Sequence, residues 1–82
     1  MKLFNTLVMD GGTGDYYSIG IFTSDTNALL AFHNCMTRSG CKTTLMDKGI
    51  VRDETIYYYK DYETDIWYVL TITPMVVDEN YG

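Results

Sequence analysis

Asp10 and Asp15 bracket three glycines in DGGTGD, residues 10–15, and glycine with paired carboxylate is a combination that can do chemistry. Backbone amides of glycine-rich loops bind anions, and carboxylates bind divalent cations. A Walker loop, however, requires GxxxxGK[ST], and a dinucleotide fingerprint requires GxGxxG between strand and helix. Here no lysine follows, and two aspartates repel an anion. A calcium loop requires alternating oxygen ligands and a closing glutamate, which are also missing. The segment therefore reads as a turn, in which glycine supplies positive φ without strain.

Nucleophiles are sparse. Ser24 precedes an apolar-periodic stretch and suits a helix cap. Cys35 falls on the apolar stripe of that stretch, where a thiol is usually inert. Cys35 and Cys41 lie six positions apart, a spacing that matches neither CxxC nor a zinc-ligand pattern, so both are expected as free thiols, one packed in the core. The single His33 borders the stripe. With no nucleophile, base and orienting group in register, no catalytic, metal or cofactor residue is assigned, and the chain is expected not to be an enzyme.

The densest chemistry is in DETIYYYKDYETDIWY, residues 53–68, which holds five of the eight tyrosines, the only tryptophan, five acids and one base. The chain carries a net charge of −5. Residues 1–52 have five bases and four acids, whereas residues 53–82 have one base and seven acids. That split is the reverse of the basic stripe of a nucleic-acid binder, so direct nucleic-acid binding is not expected, and a cationic partner suits the acidic half. In an extended register Asp61, Glu63 and Asp65 would stand about 6.6–6.8 Å apart on one face, close to two phosphate steps of about 3.4 Å each. Asp53, Glu54, Asp78 and Glu79 extend the row if the tail returns to this hairpin. Tyr57, Tyr59 and Tyr62 would add rigid amphipathic contact area. A tight loop at DYETD would instead fan the acids out, leaving a solvated hairpin tip.

The elements that must position these residues are legible from periodicity. KLFNTLVM (2–9) and YYSIGIF (16–22) read as strands of a hairpin. In the first, Phe4 and Val8 oppose Leu3, Leu7 and Met9; in the second, Tyr17, Ile19 and Ile21 oppose Tyr16, Ser18, Gly20 and Phe22. A helix is predicted from about 25 to 38. Thr23, Ser24 and Asp25 offer capping oxygens; Leu29, Phe32 and Met36 form its stripe, widened by Ala28, Ala31 and Cys35; Arg38 and Gly40 mark its end. CKTTLMD (41–47) reads as a strand ending in a turn at Lys48-Gly49, after which Ile50 and Val51 are again extended. TIYYYK (55–60) and IWYVLTIT (66–73) carry the strongest strand signals, with Trp67 expected in the core and Pro74 ending or bending the last strand. The predicted fold is α+β, an antiparallel sheet of about five strands with one helix on a face, in the order β-β-α-β-β-β.

The chain of 82 residues makes one domain with a thin core, which a second copy would enlarge, so a homodimer is expected. No apolar run approaches the ~20 residues of a membrane span. No signal segment follows Met1, so a cytosolic protein is expected.

The unit YYSIGIFTSDTNALLAFH, residues 16–33, a strand ending in GIF followed at once by a capped helix, resembles short proteins coded by bacteriophages. The whole chain is similar to them in character, being small, acidic and tyrosine-rich. That resemblance implies a host-takeover or anti-defence inhibitor acting in the bacterial cytosol. Several proteins of that class are DNA mimics that occupy a nucleoid protein of the HU type, host polymerase or a CRISPR nuclease. The expectation is thus a non-enzymatic inhibitor that binds a basic host protein through its acidic, tyrosine-rich surface. The alternatives are a protein-interaction module working through an apolar surface, and a small-ligand-binding domain.

Overall fold

The computed structural model describes residues 2–76. The elements run β1 (Lys2–Asp10), β2 (Tyr16–Phe22), α1 (Asp25–Arg38), β3 (Thr43–Val51), β4 (Glu54–Asp61) and β5 (Trp67–Val76). The strands form one antiparallel sheet in the order β2-β1-β5-β4-β3, with α1 packed against β2, β1 and β5. This is the predicted α+β fold.

Local signals set the helix ends. Ser24 is extended, and its hydroxyl accepts the Asn27 N–H at 3.1 Å, satisfying one free donor of the first turn. At the other end Gly40 adopts φ 74°. The Gly40 N–H then reaches Thr37 O at 3.1 Å and the Cys41 N–H reaches Met36 O at 2.9 Å, the paired bonds of a Schellman motif. The helix buries Ala28, Phe32 and Met36 against Val8, Leu70 and Ile72 of the central strands. Phe32 extends this core across to β4, where its ring lies 4.7 Å from that of Tyr59.

Four expectations are corrected. Lys48-Gly49 is not a turn: β3 runs continuously to Val51, a bulge at Met46 absorbs one residue, and the chain reverses at Arg52-Asp53, with Val51 opposite Glu54. Strict alternation fails in β2, where Ile19 is the extra residue of a bulge; Ile19 and Phe22 pack on the core and Ile21 turns outward. Pro74 does not end β5, which continues to Val76 opposite Lys2. Pairing with β4 has stopped at Ile72, so the missing proline N–H faces no partner strand on that side. Trp67 is not core: it is 42 % exposed, on the side of the sheet away from α1.

Candidate interaction surface

The DGGTGD loop closes the β1–β2 hairpin by its own backbone. The Asp10 N–H donates to Asp15 O at 2.8 Å, the Gly14 N–H to Asp10 O at 2.7 Å, and the Gly12 N–H to Asp10 Oδ1 at 2.8 Å. At Gly11 a side chain is excluded, because a Cβ would lie 2.5 Å from Trp67 O. These three amides and the Asp10 Oδ1 are thus engaged in turn geometry, and the Gly11 N–H is taken by Trp67 O at 2.8 Å. No group of three or more metal-ligating side chains occurs among the described residues.

The thiol and imidazole groups have separate partners. Cys41 Sγ lies 3.5 Å from the Tyr68 hydroxyl, and His33 Nε2 lies 3.4 Å from the Tyr59 hydroxyl. His33, Thr37, Lys42 and Thr43 line a shallow cleft of about 340 Å³ beside them. Hydrogen bonding to Cys41, followed by burial, raises the Tyr68 hydroxyl well above its ordinary range; burial raises that of Tyr59. These tyrosines are neutral interior groups.

The acidic and aromatic residues of 53–68 do not come together as one surface. Tyr57 and Tyr59, expected as contact area, are only 6 % and 4 % exposed and belong to the core under α1. The reason is the two-residue period of β4: Tyr57, Tyr59 and Asp61 share the helix-covered face. Asp61 is 3 % exposed, and its Oδ1 accepts the N–H of Glu63 at 2.8 Å and that of Thr64 at 3.4 Å. It therefore caps the β4–β5 loop instead of facing solvent. Asp65 adopts φ 61° and donates its N–H to Asp61 O at 2.8 Å, so the extended spacing of Asp61, Glu63 and Asp65 is lost.

The remaining acids are paired or distant. Glu63 Oε1 pairs with Lys42 Nζ at 2.9 Å, and Asp65 Oδ1 with Lys60 Nζ at 3.3 Å. Asp53 and Glu54 sit at the opposite end of β4, about 23 Å away along the strand. Tyr62 alone of the three named tyrosines is exposed. Asp78 and Glu79 lie outside the described residues.

A different surface emerges from the sheet face opposite α1. In register across the three central strands, Leu7 pairs with Thr71 and Thr71 with Ile56, while Met9 pairs with Val69 and Val69 with Tyr58. All six are half-buried, and no element covers them among the described residues. Lys60 and Trp67 share this face, with the ammonium 5.8 Å from the indole centroid. On β1, β4 and β5 the only charged side chains on this face are Glu54 and Lys60, one at each end of β4. The sequence signal was present, since Leu3, Leu7 and Met9 already made both sides of β1 apolar. It was outweighed by the more conspicuous charge split.

The edge strand β3 also displays Leu45, Met46, Ile50 and Val51, but its Met46 bulge and Lys48 are devices that blunt edge pairing. No helix among the described residues is long and apolar enough to cross a membrane. No family model, curated protein or solved structure matches the chain.

Proposed function

We propose that this chain is a non-enzymatic protein-interaction domain whose contact surface is the open face of its sheet. The observation that carries this reading is the apolar belt of Leu7, Met9, Ile56, Tyr58 and Val69, half-buried and flanked by Trp67 with no covering layer among the described residues. Contiguous apolar surface of this kind marks interaction sites, and sheet faces with one wet side ordinarily alternate to polar residues there. The acidic reading has less support: Asp61, Tyr57 and Tyr59 are interior, Glu63 and Asp65 are paired with lysines, and Asp53 and Glu54 stand at the other end of β4.

Affinity capture from cells making both tagged and untagged chain tests the reading. Material held through the open face, of whatever identity, survives high salt, because screening weakens only the electrostatic contribution. It is lost with Leu7→Glu and kept with Glu63→Lys/Asp65→Lys. Release by salt or by the acid reversal, with Leu7→Glu behaving as the parent, overturns the proposal in favour of the acidic surface.

A further inference from the structure

We infer that the occupant of the open face is a second copy of this chain, stacked sheet on sheet about a two-fold axis that runs across the strands beneath the Val8–Leu70–Tyr57 row. This deepens the proposed function and rests on it.

The pattern of the face is complementary to itself under that operation. Val8 is opposite Leu70, and Leu70 opposite Tyr57, so one row crosses the middle of all three central strands. A two-fold axis along that row, lying between two facing sheets, sets each strand over its own reversed copy. Position 7 then lies over 9, position 69 over 71, and position 56 over 58. Leu7 meets Met9, Val69 meets Thr71, and Ile56 meets Tyr58. The same operation carries Lys60 over Glu54 and Glu54 over Lys60, since both lie three residues from Tyr57. The two charges of the central face thus become two opposite-charge pairs, and on the edge strand β3 Asp47, which stands opposite Tyr58 on this face, falls over Gly49.

Sheets that pack face to face are about 10 Å apart with strands within about 30° of alignment. At three residues from the axis, about 10 Å along the strand, that rotation displaces a side chain by about 5 Å. A lysine stem spans such an offset. Lys60 now pairs with Asp65, which is itself 81 % exposed, and lies over the Trp67 indole; each contact is weak at an exposed site, so the ammonium is free to turn to a facing carboxylate.

The area is also sufficient. Five strands about 4.8 Å apart and about 28 Å long present on the order of 670 Å² in projection, and side-chain relief brings the accessible area near the ~800 Å² per partner of a standard interface. The product is a helix–sheet–sheet–helix sandwich in which the belt becomes a second core. A chain of this size gains from that, because alone it buries a smaller fraction of its surface than a larger domain does.

Sedimentation equilibrium of the purified chain, with charge-swap variants, tests the inference. The parent is expected at twice the chain mass of 9.4 kDa. Glu54→Lys and Lys60→Glu each stack like charges twice and raise the dimer dissociation constant by at least about fivefold. The double variant Glu54→Lys/Lys60→Glu restores both pairs and returns the constant to near the parent value. Both positions are on the surface and leave the core intact. A monomeric parent overturns the inference. So does a dimer whose double variant is no better than the singles, because the axis is then elsewhere. If the parent is monomeric while Leu7→Glu still loses its captured partner, the self-association fails and the open-face reading stands. If the parent dimerises and Leu7→Glu dimerises equally well, the inference fails, and the open-face reading fails with it only if Leu7→Glu also keeps every captured partner.

Discussion

Asp61 and Glu63 are two residues apart, yet one points into the protein and the other out of it. The buried Asp61 Oδ1 accepts the Glu63 N–H at 2.8 Å, while the Glu63 carboxylate reaches Lys42 at 2.9 Å. One acid of the 53–68 stretch is therefore structural, and its neighbour makes a surface ion pair of small energetic weight.

Replacing Asp61 tests this division. Asp61→Ala leaves the loop amides of Glu63 and Thr64 without an acceptor and is expected to cost about 1–3 kcal/mol. Asp61→Asn keeps an oxygen in the same place and should cost less than half as much. Glu63→Gln should lie within about 0.5 kcal/mol of the parent. Urea unfolding ranks the three, and equal losses for Asp61→Ala and Glu63→Gln would refute the structural role.

Thr6 is fully buried beside Ile72, and its hydroxyl has no hydrogen-bond partner. Thr6→Val keeps the shape and removes the unsatisfied group, so stability should rise by about 1 kcal/mol. A lower urea midpoint in the variant would mean that the hydroxyl is satisfied in solution.

Alkaline pH should loosen the fold. The Tyr68 hydroxyl is raised above its ordinary range by its hydrogen bond with Cys41 and by burial, and the Tyr59 hydroxyl by burial. Near pH ~10 the unfolded chain releases these protons while the folded chain keeps them. The unfolded state then binds fewer protons, and stability falls as pH rises. The contribution is fully present below the unfolded value and is lost between it and the folded one. Urea midpoints followed from about pH 8 to about pH 11 should fall, and Tyr68→Phe should make the fall shallower. Parallel curves for parent and variant would show that Tyr68 does not titrate across the transition.

The elements were legible because their signals are local. Ser24, Asp25, Arg38 and Gly40 bounded the helix from nearby residues alone, and aromatic and β-branched runs marked β4 and β5. The bulges at Ile19 and Met46 were not legible. Either strand also reads as regular, and only pairing with a fixed neighbour reveals the extra residue. Lys48-Gly49 reads as a turn in the sequence for the same reason: Gly49 has turn chemistry, but Ile56 opposite it keeps it in the ladder.

The candidate surface was harder to see. Alternation shows that Tyr57, Tyr59 and Asp61 share one face of β4 and that Ile56, Tyr58 and Lys60 share the other. It does not say which face the helix will cover, because both are rich in large side chains. By itself the sequence determined the fold class, the order of the elements and the pairs of residues that must travel together, since periods of 2 and 3.6 are properties of the local backbone. Only the tertiary structure decided that β5 lies between β1 and β4, and that α1 settles over the Tyr57–Tyr59 side. Those choices depend on long-range packing of Phe32 against Leu70 and Tyr59. They buried the tyrosines that the charge pattern had placed outside, and left an apolar belt where the charge pattern had given no reason to look.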